Sequence, residues 1–215
     1  MHPTPTDTDR SAAPPRARIS PLLAACIALI ALAQGALWWR AAAWYPELPA
    51  RIPMHFNAAG TPDGWSDKGP MWFLLPIISL VLLAFLGGIA LWLGALVRNA
   101  PALVNVPRKD LFLKLSPAGR LAVVAPTRVF LAWVIALVML LFLYILEGSA
   151  RVAVLQEKML PSWPVFVFLG LVFSTLPFFY IATMRAVDRA ARDEGLLGAT
   201  DDGSSSRRSS EPRSR

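Results

Sequence analysis

Four long apolar runs, at 19–39, 71–97, 129–146 and 163–184, alternate with polar segments along the chain, and none of them contains Asp, Glu, Lys or Arg. Each approaches or exceeds the roughly 20 residues that a helix needs to cross a hydrocarbon core, and a helix satisfies its own backbone hydrogen bonds there. The pattern predicts four transmembrane helices. The second run is long for a straight crossing, about 40 Å at 1.5 Å per residue, so it should tilt or bend, with Pro76 and the Gly87–Gly88 pair as the places. In the fourth run Pro177 lacks a helix donor, and Ser174 and Thr175 stand close enough to help satisfy the carbonyl it frees. A kink is expected there.

The polar segments differ in kind. Residues 1–18 and 195–215 mix Pro, Ser, Thr, Asp and Arg with no apolar period and read as disordered tails. Between the fourth run and the last tail, residues 185–194 can prolong the helix, with Asp188 and Arg192 ordered for an i,i+4 pair and Gly195 as a stop. Residues 98–128 form a basic loop. From 51 to 57 the chain alternates, with Ile52, Met54 and Phe56 on one side and Arg51, Pro53, His55 and Asn57 on the other. Pro49 and Pro53 restrict this stretch to an edge or polyproline-like ribbon. The segments 58–60 and 62–64 read as two turns, with Gly60 and Gly64 free to take positive φ. A small folded cap in the first loop follows. Trp38, Trp39, Trp44, Tyr45, Trp65 and Trp72 gather at both ends of that loop, as rings do at headgroup level.

Composition agrees with a bilayer as solvent: 55% of the 215 residues are hydrophobic and only 16% charged. The expected architecture is an all-α integral membrane protein of four helices with a cap in the first loop. Its parts are the first helix, cap and second helix (19–97), the basic loop (98–128), and the third and fourth helices with their extension (129–194). Sixteen of the 21 Lys and Arg lie in the two tails and the middle loop, against five in the first and third loops. Positive charge marks the cytoplasmic side, so both termini should be cytoplasmic and the cap extracytoplasmic. The net charge of +7 is then explained by topology and anionic headgroups, and no nucleic-acid-reading motif accompanies it. Arg16 and Arg18 before an apolar run resemble a signal peptide, and residues 23–26 a lipoprotein processing box, but the chain stays apolar through Trp39, unlike a processed precursor. Cys26 is the sole cysteine, which excludes an intrachain disulfide and a site built on several thiolates. It reads as a small apolar filler.

Candidate chemistry concentrates in the first loop. His55, Asn57, Asp63 and Asp67 are ligand types, but their spacing matches no metal motif, and a role for His55 in hydrogen-bonding the cap together is preferred. A catalytic base needs a nucleophile nearby, and the motif offers only Ser66. No enzyme and no cofactor is expected. Within the spans Gln34, Ser79, Ser174 and Thr175 break the apolar pattern noticeably and no Asp, Glu, Lys or Arg does, which disfavours a proton-coupled transporter. Glu147 at the end of the third span reads as a solvated cap. Gly87, Gly88, Ala90 and Gly94 offer a small-residue face for contact within the bundle or between copies in a homo-oligomer.

The ordered elements Tyr45–Pro46, Leu48–Pro49, Ile52–Pro53, His55–Phe56–Asn57, Gly60, Asp63–Gly64 and Lys68 resemble the signature of domain of unknown function 1648, a family of bacterial membrane proteins that includes SdpI-like proteins. The resemblance covers residues 45 to 97. A second stretch, 105–113, is similar to the "NxPNKxYWL" segment that often follows, through Asn105, Pro107 and Lys109; Arg108 replaces the usual Asn, and Leu111–Phe112 the usual Tyr–Trp. What the resemblance implies is a non-enzymatic protein of the cytoplasmic membrane, with a signalling or immunity-like role. Pro49, Pro53, His55, Phe56, Asn57, Gly60, Asp63, Gly64 and Lys68 become the residues expected either to bind an extracytoplasmic peptide, lipid or protein partner or to build the cap. A small transporter or channel component is the alternative.

Overall fold

The computed structural model describes residues 19–197; the tails expected at 1–18 and 195–215 lie outside the described residues except for 195–197. Four helices are long and apolar enough to cross a membrane. They are α1 (Pro21–Trp44), α2 (Leu74–Asn99), α5 (Ala125–Val154) and α6 (Trp163–Asp193). Two short helices, α3 (Lys109–Lys114) and α4 (Pro117–Val123), lie between the second and third spans, and strands β1 (Arg51–Phe56) and β2 (Pro62–Asp67) lie between the first two. All four helices continue past the C-terminal ends of the charge-free runs because a helix does not end where the hydrocarbon does. Thus α5 carries Arg128 in its first turn and Glu147 and Arg151 near its end.

Helix α5 is the hub, packing against α1, α2 and α6 and also against β1. Mid-bundle, Cys26, Ile30 and Ala33 of α1 meet Ala132, Ile135, Ala136 and Met139 of α5, so small residues let the two helices approach closely. Cys26 is buried there as filler. Ser79 of α2 is wholly buried, its Oγ 2.7 Å from the Pro76 carbonyl and 2.9 Å from Gln34 Oε1. A hydroxyl has a single hydrogen, and Gln34 Nε2 is buried without a partner. Exchanging the amide oxygen and nitrogen of Gln34 resolves both points, with Ser79 donating to Pro76 and accepting from Gln34. This α1–α2 link is worth about 1 kcal/mol. The small-residue face, expected to serve contact within the bundle or between copies, is open at two of its glycines. A β-carbon on Gly87 or Gly88 would meet nothing within 4 Å, so neither mediates helix contact within the bundle.

The fourth helix continues through Pro177. Ser174 and Thr175 donate to the carbonyls of Leu171 and Val172, not to that of Phe173, which the proline frees. As expected, α6 runs on past residue 184 and terminates before Gly195 at φ +70°. Asp188, however, pairs with Arg108 and not with Arg192, because the basic segment folds back onto the extension.

That segment is no plain loop. Phe112 of α3, Leu115 just after it, Val123 of α4, and Val104 and Val106 bury themselves against Val97 of α2 and Val187, Ala190 and Ala191 of α6. Arg108, just before α3, is left-handed at φ 54°, a conformation that Asn tolerates better than most residues. The usual Asn of the "NxPNKxYWL" segment therefore has a conformational reason at this point. Beyond α6, Glu194 accepts from the Ser116 amide at 2.7 Å and the Ser116 hydroxyl at 2.6 Å, beside the start of α4.

The Ser116 bonds hold the Glu194 carboxyl below its ordinary pKa, with the Arg120 charge adding to the effect. A carboxylate depressed in the folded state stabilises above its unfolded pKa, about 4.3, and that contribution is lost as pH falls through the folded value. Melting temperatures of the wild type and Glu194→Gln should differ by a constant amount above about pH 5 and converge at lower pH. A difference that persists into strong acid would contradict the assignment.

Candidate functional site

Helix α1 ends in a 3-10 turn at Tyr45–Glu47, where Pro46 occupies the first turn, and Leu48 turns the chain extended at φ −62°, ψ 139°. Strands β1 and β2 then form an antiparallel hairpin in which Arg51 faces Asp67, Ile52 faces Ser66 and His55 faces Gly64. The 62–64 stretch, expected as a turn, is the start of β2, and only 57–61 turns. The fold is therefore α-helical in the bilayer with a β-hairpin cap. Register irregularities lie on either side of His55, and Pro53 is buried together with Ile52, against a simple alternation.

Most of the signature residues are accounted for as builders of this hairpin. Asn57 Oδ1 accepts from the amides of Ala59 and Thr61 at 3.0 and 3.1 Å, and the Asn57 carbonyl accepts from Gly60 N at 2.8 Å. Lys68 Nζ donates to the carbonyls of Pro46 and Leu48, 3.1 Å each, and its ammonium lies 5.2 Å from the Tyr45 ring centroid. It ties the base of the hairpin to the end of α1. Pro49 is exposed and acts through the backbone, keeping Leu48 extended while its side chain is buried. A β-carbon on Gly64 would lie 2.8 Å from that of His55, so glycine is required opposite the ring.

Gly60 does something else. It takes φ +80°, and its carbonyl accepts from Leu160 N at 2.8 Å, in the connection between α5 and α6. A β-carbon there would collide with the Leu160 carbonyl. The Leu160 side chain fills a notch at Gly148 of α5, where a β-carbon would collide with its Cδ1. Two glycines from separate elements thus clamp one leucine, and Tyr144 donates to the adjacent Pro161 carbonyl at 2.5 Å. Neither Leu160 nor Gly148 stands out in the sequence, since isolated glycines and leucines are common in apolar helices.

A cleft of about 260 Å³ opens between the hairpin and this connection, with Met54, His55, Phe56, Asn57 and Gly60 on one wall and Ile145, Leu160, Pro161, Ser162 and Val165 on the other. His55 Nδ1 donates to Asp63 Oδ1 at 2.5 Å, which leaves Nε2 without a partner among the described residues; the imidazole side chain is 73% exposed. Asp63 fixes the ring's tautomer and orientation. Asp67 lies at the far end of the hairpin opposite Arg51, so the four candidate ligand residues do not converge. Among the described residues no group of three or more His, Cys, Asp or Glu side chains is placed to hold a metal. The cleft offers a few polar atoms over apolar walls.

Beneath the hairpin lies an ion pair that the sequence does not reveal. Arg40 of α1 donates through Nε and Nη2 to both oxygens of Glu147, at 2.9 and 2.8 Å, and Trp44 Nε1 donates to the same carboxylate at 3.0 Å. Arg151 approaches it at 3.6 Å. Glu147 is therefore a half-buried partner and not a solvated cap. Of the ring residues expected at headgroup level, Trp39 and Trp65 are exposed, whereas Trp72 is buried and donates to the Ala41 carbonyl at 2.8 Å. Asn105, Pro107 and Lys109 sit at the opposite end of the bundle, where Asn105 and Pro107 border a separate recess against Thr127, Tyr180 and Thr183.

Residues 23–80 match the model of a family described as domain of unknown function (DUF1648). The matched segment contains nearly all of α1, the hairpin and the first turns of α2, so it begins earlier than the motifs imply and stops before the 105–113 stretch. No curated protein and no solved structure matches the chain.

Replacing Gly60 with Ala adds backbone strain of about 1 kcal/mol and places an atom in the Leu160 carbonyl. The variant should lose about 2 kcal/mol or more of stability in detergent unfolding, with faster protease cleavage at 155–162 than in the wild type. Unchanged cleavage would contradict the clamp.

Proposed function

We propose that this protein is a non-enzymatic component of a bacterial cytoplasmic membrane whose hairpin faces outward and recognises a peptide, lipid or protein partner in the cleft beside His55. The observation that carries this reading is the division of labour within the signature. Gly64 and Lys68 are spent on structure and Asn57 and Gly60 build the turn at the cleft wall, while His55 and Phe56 line the open cleft without such a task and the free imidazole nitrogen is held in a fixed orientation by Asp63. The orientation rests on charge. Among the described residues the end bearing α3, α4 and the α6 extension carries nine Lys and Arg, and the hairpin end five, in the sense of a cytoplasmic basic end and cytoplasmic termini. A role in envelope signalling or immunity is the family-level analogy, and assembly into a homo-oligomer is compatible with it.

Transport is the weaker reading. Glu147 is neutralised by Arg40, and Gln34 and Ser79 bond one another across α1 and α2, so these polar groups are occupied in helix contacts.

The test places a photo-crosslinking residue at Phe56 in intact cells, with topology fixed by a cysteine at Ala59 in a Cys26→Ala background and an impermeant maleimide. Labelling before lysis is expected. A discrete crosslinked species should form and fall about fivefold or more on His55→Ala, the loss of one hydrogen bond to the partner. Labelling only after lysis would overturn the orientation, and a crosslink indifferent to His55 would overturn the assigned site.

A further inference from the structure

At the basic end of the bundle two arginines converge on one glycine. Gly94 of α2 is buried, and the point where its β-carbon would stand is 2.6 Å from Arg128 Nη2 and 4.0 Å from Arg98 Nη1. The missing side chain is what lets the Arg128 guanidinium, rooted in the first turn of α5, reach α2 with Nη2 foremost beside Arg98 of the last turn. Among the described residues neither arginine makes an ion pair or a side-chain hydrogen bond. Of the acids at this end, Asp188 pairs with Arg108 and Glu194 with Ser116, and neither Asp110 nor Asp193 forms an ion pair with Arg98 or Arg128 among the described residues. Two like charges brought to within 4.0 Å of a common point, with no carboxylate between them, repel one another unless an anion fills the gap.

The depth of the pair identifies the anion. At 1.5 Å per residue the 26 residues of α2 extend about 39 Å, well beyond a hydrocarbon core of about 30 Å, so the last turns of α2 stand in the headgroup layer. Planar guanidinium forks match phosphate oxygens bidentately, and basic pockets between transmembrane helices hold anionic headgroups. We infer that Arg98 and Arg128, seated over Gly94, form a binding site for the phosphate of an anionic phospholipid in the leaflet that surrounds the basic end. The lipid bridges α2 and α5 where their contact gives way to α4. This site is separate from the hairpin cleft and stands whichever way the protein is oriented.

The test uses full-length protein in nanodiscs of mixed phosphatidylglycerol and phosphatidylcholine, with the lipids that survive gentle release counted by native mass spectrometry. The wild type should retain phosphatidylglycerol preferentially. Arg98→Gln and Arg128→Gln should each lower that retention about fivefold, and Gly94→Ala should lower it by displacing Arg128 while removing no charge. The Lys pair Arg98→Lys with Arg128→Lys should fall between, having charge but no fork. Lys114→Gln with Arg189→Gln removes twice the charge of either single variant, elsewhere on the same end, and should change retention far less. Equal losses from that control pair would reduce the effect to diffuse charge and overturn the site. Equal retention of the two lipids by the wild type, or equal stabilisation of the detergent-solubilised protein by inorganic phosphate alone, would overturn the lipid assignment.

Discussion

The hairpin end depends on the bond between Arg40 and Glu147. It joins α1 to α5, residues 107 apart in sequence, with two charge-assisted hydrogen bonds in a fork, and Trp44 adds a third donor to the same carboxylate. The side chains are only 30% and 25% exposed, so breaking the pair leaves a charge with little water to replace its partner. Its position matters as much as its strength. It fixes α1 against α5 one turn below the point where α1 ends, and from there Leu48, Ile52 and Trp72 pack onto Leu37, Ala41, Leu146 and Ala150. The hairpin is thereby seated on the helix ends and not left to float on a loop.

From that seat the constraint passes across the cap. Gly60 hands it to Leu160 through a backbone hydrogen bond, and Leu160 returns it to α5 through the notch at Gly148. The loop between α5 and α6 is thus closed over the hairpin, and the cleft lies along the seam. The basic end solves a different problem. There α3 and α4 shelter an apolar core of their own between α2 and the extension of α6, and Glu194 bonds Ser116 at the start of α4. One end presents an aromatic and imidazole surface, the other a surplus of guanidinium groups.

The spans were legible in the sequence because a charge-free run of that length has few alternatives to a membrane helix. Their ends were less so: Arg128, Glu147 and Arg151 look like loop residues, yet each remains helical at the edge of the bilayer, where a charge reaches water or a partner. The turn at Asn57 and Gly60 was readable from local chemistry. The second strand was not, since Pro62, Asp63 and Gly64 have turn propensities and are drawn into β2 by pairing with β1, with Gly64 needed opposite His55. Likewise the partners of Glu147, Trp72 and Asp188 are chosen by packing of distant segments, which no local pattern encodes. Of the candidate site, His55 with Asp63 was within reach of the sequence; the opposite wall at Leu160 and Val165 required the fold.

The central claim is that the Arg40–Glu147 bond holds the hairpin end together. A double-mutant cycle of Arg40→Ala and Glu147→Ala, read by reversible unfolding in detergent, measures that bond directly. The account predicts a coupling energy of about 1–3 kcal/mol, with each single variant also loosening the hairpin to protease. A coupling below about 0.3 kcal/mol would contradict it.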